Sequence, residues 1–277
     1  MATFPKLKLQ DLHVDDEESF THVGLYADLR AIVEDSDHRF VVLHRNVKRA
    51  DWDRAAFLNL TFWHAHEPVD VLIDDHLAAD VVGHIAWHML ASQNLCPGAG
   101  RPQSAATMLL SEAIASAFDL YLVGRLLGHR PDSAFLETQV PAMAEAASGA
   151  GMDEDGFEAM LQSIADDPER AFEDLRALLF DAGTALASCP DVETAARVLD
   201  EMEDRRFSQL IHHYELSNWT LYGRAYGATT EVKEAALELD RTLREAPVAL
   251  DWLEKNWVQP ALEKRRVAPA PRRAKPR

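Results

Sequence analysis

Cysteine is nearly absent from this chain, with two residues, Cys96 and Cys189, among 277. They lack C-x-x-C spacing and are too few for a disulfide framework, so both are expected as free thiols of a cytoplasmic protein. Also missing is any uninterrupted apolar run of the roughly 18 or more residues that a membrane span needs. At the N-terminus Lys6 and Lys8 are followed by acidic residues from Asp15 to Glu18 rather than by the apolar core of a leader peptide. No transmembrane helix is expected. The motifs G-x-S-x-G, G-x-x-x-x-G-K-[ST] and G-x-G-x-x-G do not occur, which removes the usual signatures of nucleophile elbows, phosphate loops and dinucleotide folds. Paired Glu-x-x-His motifs, which a carboxylate-bridged di-iron bundle requires, are missing as well.

Basic residues are scarce except at one end. The formal charge is −18, although the last fourteen residues, Lys264 to Arg277, hold seven basic side chains and no acidic one. The rest of the chain is therefore more acidic still and repels phosphate backbones, so the main fold is not expected to bind nucleic acid. The proline-containing basic tail reads as a disordered end, and it leaves room for an acidic protein partner or the acidic body of a neighbouring copy.

What the chain does contain is helical pattern. Residues 1 to about 38 are mixed, with one amphipathic stretch, GLYADLRAIVED. RFVVLHR (Arg39–Arg45) and VDVLID (Val69–Asp74) read as strands, and either Asp74 or Asp75 can cap the helix that follows. Between the two strands, DWDRAAFLNLTFW (Asp51–Trp63) suits a helix or a strand. The capped helix should run from about Asp75 to Gln93. A loop from Cys96 to Ser104 comes next, then a second helix from about Ser104 to Leu127, apolar on nearly every side, with Gly128 as its stop. From Ser133 on, the pattern is of successive helices. The expected fold is mainly α with a small β element near the N-terminus, divided into a mixed lobe at 1–132, a helical lobe at 133–263 and the tail at 264–277.

Chemistry gathers on the two central helices. In DVVGHIAWH (Asp80–His88), His84 and His88 are four residues apart, on one helical face and at the edge of its apolar sector, with Ile85 near the centre of that sector. On the next helix Glu112 is a carboxylate in an apolar setting, where an unpartnered charge costs several kcal/mol, so a cation or donor should lie beside it. Two histidines and a carboxylate form a zinc ligand set, with mononuclear iron as the alternative metal. Asp119, two turns after Glu112, either supports the site or pairs with an arginine such as Arg125. His76 and Asp80 extend the i, i+4 ladder but rotate away from a shared ion, and read as a solvated first turn. WHAHEP (Trp63–Pro68) carries two further histidines in a polar loop. In IHHYE, His212 and His213 point about 100° apart, so at most one of them faces a given site.

DVVGHIAWH followed by SEAIASAF resembles the paired active-site helices of the thermolysin-like zinc peptidases, the gluzincins, over about 40 of the 277 residues. The resemblance implies that His84, His88 and Glu112 hold zinc. It also marks two departures: Ile85 stands where the family has its general-base glutamate, and Ser116 where it has an aspartate that orients a ligand histidine. Isoleucine cannot accept a proton. The expectation is therefore a metal-binding protein without ordinary peptidase catalysis, its site structural or used for recognition. The alternatives are a metal-dependent hydrolase with a displaced base, drawn from Asp80, His212, His213 or Glu215, and a metal-free helical interaction protein in which a histidine satisfies Glu112.

Overall fold

In a computed structural model the described residues are 5–42, 70–96, 104–226 and 233–267. The segments 51–63 and Trp63–Pro68, the end of RFVVLHR, the loop after Cys96 and the basic tail beyond Val267 lie outside them. The fold is mainly α with a small β element at the N-terminal end, as the sequence pattern predicts.

Among the described residues the β element consists of two small sheets. Strands β1 (Lys6–Leu7), β3 (Phe40–Val42) and β4 (Asp70–Leu72) form one, with β1 antiparallel and β4 parallel to β3. Strands β2 (His13–Asp15) and β5 (His76–Ala78) form the other, paired in parallel with His13 opposite His76. Two helices lie between β2 and β3: α1 (Glu17–Phe20) and α2 (Gly24–Asp35). The amphipathic stretch GLYADLRAIVED is α2, and it buries Leu25, Tyr26, Leu29, Ile32 and Val33.

Helix α3 (Ala79–Leu95) starts four residues later than expected from Asp75. His76–Ala78 pair with β2 instead, and tertiary strand pairing overrides the local capping signal. Asp74 Oδ1 accepts from the His76 amide at 3.1 Å, so this aspartate turns the chain into β5 rather than capping a helix. His76 is consequently a strand residue, not part of a helical ladder with Asp80 and His84. Ile85 is 7% exposed and belongs to the core, in line with its place at the centre of the apolar sector.

Helix α4 (Ala105–Leu127) begins where Ser104 accepts from the Thr107 amide and ends at Gly128. It is long and apolar enough to cross a membrane by length and composition, although Glu112 and Asp119 interrupt its apolar run. Other helices cover it, with 89% of its most apolar window buried inside the protein. The C-terminal half consists of α5 (Ala134–Gly149), α6 (Glu154–Asp166), α7 (Pro168–Ser188), α8 (Val192–Asp200), α9 (Leu216–Tyr226), α10 (Lys233–Glu245), α11 (Ala249–Leu253) and α12 (Gln259–Val267), of which α5, α6, α7, α9 and α10 pack against α4. A 3-10 segment, Ser208–Tyr214, precedes α9, and a π turn, Glu254–Val258, joins α11 to α12.

The stretch from Asp191 to Tyr226 is helical by periodicity, but two left-handed residues interrupt it. Phe207 and Glu215 adopt left-handed backbone, with φ of 71° and 46°, at the two ends of the 3-10 segment. Among the described residues one hydrophobic core runs from Leu9 to Val258 and draws side chains from both sides of residue 133. Helices α4 and α7 pack most extensively within it. Fully buried Arg176 of α7 is held by Glu173 at 2.7 Å and by Asp240 of α10 at 2.8 Å, which satisfies a charge that would otherwise be costly to bury.

Candidate metal centre

Helices α3 and α4 pack side by side, and Gly83 is part of the reason. A Cβ at that position would stand 3.1 Å from the Phe118 ring. This close approach brings His84 and His88 of α3 against Glu112 of α4. His84 Nε2 lies 3.7 Å and His88 Nε2 3.5 Å from the same carboxylate oxygen, Glu112 Oε2. One ligand atom from each of the three residues falls within 4.8 Å of the others.

These separations distinguish two arrangements. An N–H···O hydrogen bond spans about 2.7–3.2 Å, and both contacts are longer. Two ligands on a tetrahedral ion with bonds of about 2.0–2.1 Å stand roughly 3.3–3.4 Å apart, which is close to both observed values. These two edges therefore suit a zinc-sized ion.

The outer nitrogens are held as well. Asp119 Oδ2 accepts from His84 Nδ1 at 3.0 Å, and His88 Nδ1 shares a hydrogen bond with the Ser111 hydroxyl at 2.8 Å. Each imidazole thus keeps Nε2 for the shared point, an arrangement typical of metal-ligating histidines. Asp119 does not pair with Arg125, whose guanidinium lies 3.6 Å from Glu169. Ser116 lines the adjoining cleft, while the orienting carboxylate comes from Asp119, one turn further along α4. Ser111, adjacent to Glu112 in SEAIASAF, is a site residue that the sequence pattern does not single out.

The electrostatics are those of tightly coupled groups. Loss of solvent alone would raise the Glu112 carboxyl, but the His88 and His84 imidazoles outweigh it and hold the group well below the usual carboxylate range. Loss of solvent opposes charging of His84, yet Asp119 and Glu112 together pull its pKa well above the ordinary value. Asp80, near the start of α3, is pushed up to about 6 by burial and by the charge on Asp119.

The three ligand side chains remain 18–31% exposed, and two of them, His84 and Glu112, open on a cleft of about 320 Å³. His84, Glu112, Ser116 and Asp119 form one wall. The facing wall comes from the 3-10 segment and the residues after it, with His213, Tyr214, Glu215 and Trp219. Of the adjacent histidines only His213 lines the cleft, and His212 is exposed outside it. Burial lowers the pKa of His213 despite the opposing charge of Asp119, and it raises that of Tyr214. Asp80, the remaining candidate base, is not among the cleft-lining residues. Tyr214 and Trp219 enter through the left-handed turn at Glu215, a tertiary feature with no local sequence signal.

No family model, no curated protein and no solved structure matches this chain, so its function has to be argued from the geometry of this site.

Proposed function

We propose that the protein binds zinc through His84, His88 and Glu112 and uses the centre to recognise a small ligand, in a gluzincin-like pair of helices that lacks the peptidase base. The observation that carries this reading is the convergence of two Nε2 atoms on one carboxylate oxygen at 3.5 and 3.7 Å, with both Nδ1 atoms independently held. Structural zinc sites are closed by four protein ligands, whereas three ligands beside a cleft leave a position for something else. A volume of about 320 Å³ is at the low end of small-ligand sites, which run from roughly 300 to 1,000 Å³, and suits a small molecule or a single side chain. Asp119 Oδ1 is buried with no hydrogen-bond partner among the described residues, an acceptor left over beside the His84 ring. Zinc, when bound, supplies a Lewis acid able to polarise a ligand oxygen or acidify a coordinated water. Mononuclear iron suits the same donors. The free, buried thiols Cys96 and Cys189 support a cytoplasmic location.

A second reading, a hydrolase with a displaced base, is favoured by one observation. His213 lines the same cleft, and burial keeps its imidazole neutral near pH 7, the form that accepts a proton.

Elemental analysis of protein purified without added metal tests the first reading. About one equivalent of zinc is expected, falling sharply in His88→Ala. Less than about a tenth of an equivalent, unchanged by adding zinc, would instead leave the metal-free interaction protein. A peptide and ester panel tests the second: hydrolysis lost in both His88→Ala and His213→Gln supports it, and no hydrolysis by metal-loaded protein removes it.

A further inference from the structure

A second group of ligand-type side chains lies outside the cleft, on the small parallel sheet that leads into α3. His13 and Asp15 are two residues apart on β2 and so share a face, and His76 of β5 is the register partner of His13. The inward positions are taken by Val14 and Leu77, which pack with the core. Side-chain exposure is 68% for His13, 48% for Asp15 and 45% for His76. The two rings lie 4.8 Å apart, edge to face. Asp15 Oδ1 is shared between them, 2.9 Å from His76 Nδ1 and 3.4 Å from His13 Nε2. Opposite Asp15 the register places Ala78, a small side chain.

We infer that His13, Asp15 and His76 form a second, surface site for a borderline first-row divalent cation such as Zn²⁺. The 3.4 Å edge already equals the spacing of two ligands on a tetrahedral ion, about 3.3–3.4 Å for bonds of 2.0–2.1 Å. The 2.9 Å edge is a hydrogen bond, and an ion taking the place of its proton widens it by a few tenths of an ångström, which exposed side chains allow. Two imidazoles select against Mg²⁺ and Ca²⁺, which take oxygen ligands. The neighbouring Asp74 and Asp75 add to the negative potential that draws a cation. Because β5 runs directly into α3, an ion here ties β2 to the start of the helix that carries His84 and His88.

The site is independent of the cleft centre, and its test separates the two. Full-length protein is stripped with a chelator and dialysed to equilibrium against Zn²⁺, with bound metal counted per chain. Two ions are expected, the surface one weaker. His13→Gln, His76→Gln and Asp15→Asn should each reduce the count to one, whereas His88→Ala should remove the other ion. Millimolar Ca²⁺ should leave both in place. Wild-type binding of a single ion that His88→Ala abolishes would overturn the surface site alone. Retention of two ions by a folded His13→Gln/His76→Gln variant would also overturn it, as would displacement of the weaker ion by Ca²⁺.

Discussion

Asp119 carries more of the proposed centre than its position two turns beyond Glu112 suggests. Its Oδ2 fixes the orientation of His84, and its charge contributes to raising both His84 and Asp80. Loss of such an orienting partner typically costs about 10–100-fold in metal affinity. Asp119→Ala and Ser111→Ala should each weaken zinc binding by about that factor in a competition titration while the protein stays folded; unchanged affinity in both would mean that the outer hydrogen bonds do not organise the ligands. Asp80 supplies a separate, pH-dependent expectation. Its folded-state carboxyl is raised from 3.8 to about 6, so the folded protein holds this proton more tightly than the unfolded chain does. The stabilisation is present below about pH 4 and is lost as the pH rises through 6. In metal-free protein, Asp80→Asn should therefore raise Tm at pH 7.5 (on the order of a few degrees) and change it little at pH 4. A larger gain at pH 4 would reverse the assignment.

At the scale of elements, the two ligand helices are legible in the sequence because each has its own local signal. The i, i+4 histidines mark α3, and α4 has its Ser104 cap, its Gly128 stop and a misfit carboxylate. The start of α3 is not legible, since pairing of His76–Ala78 depends on the distant strand His13–Asp15. The facing wall of the cleft is hidden for a similar reason: left-handed backbone at Phe207 and Glu215 breaks a pattern that is helical by periodicity. Gly124 shows how closely α4 is packed. A Cβ there would stand 2.6 Å from the Ile164 carbonyl oxygen and 2.9 Å from Pro168 Cβ, contacts that backbone cannot readily relieve. Gly124→Ala should destabilise the protein by about 1–3 kcal/mol in urea unfolding, despite alanine's better helix propensity. A neutral or stabilising effect would show that α4, α6 and α7 are less tightly apposed.

For the whole molecule, one continuous core supports a site on one side of its most buried helix, and this arrangement decides what Ile85 can be. Ile85 is 7% exposed, belongs to that core and does not line the cleft. A glutamate there would place a carboxylate in that core. Ile85→Glu should lower stability by at least about 2 kcal/mol and give no peptide hydrolysis in metal-loaded protein. Hydrolysis by a folded Ile85→Glu variant would place residue 85 at the metal after all. The identity of the three ligands is open to anomalous diffraction at the zinc edge from zinc-loaded crystals. A peak about 2.0–2.1 Å from His84 Nε2, His88 Nε2 and a Glu112 oxygen is the predicted result; zinc-loaded crystals with no peak among these three residues would contradict it.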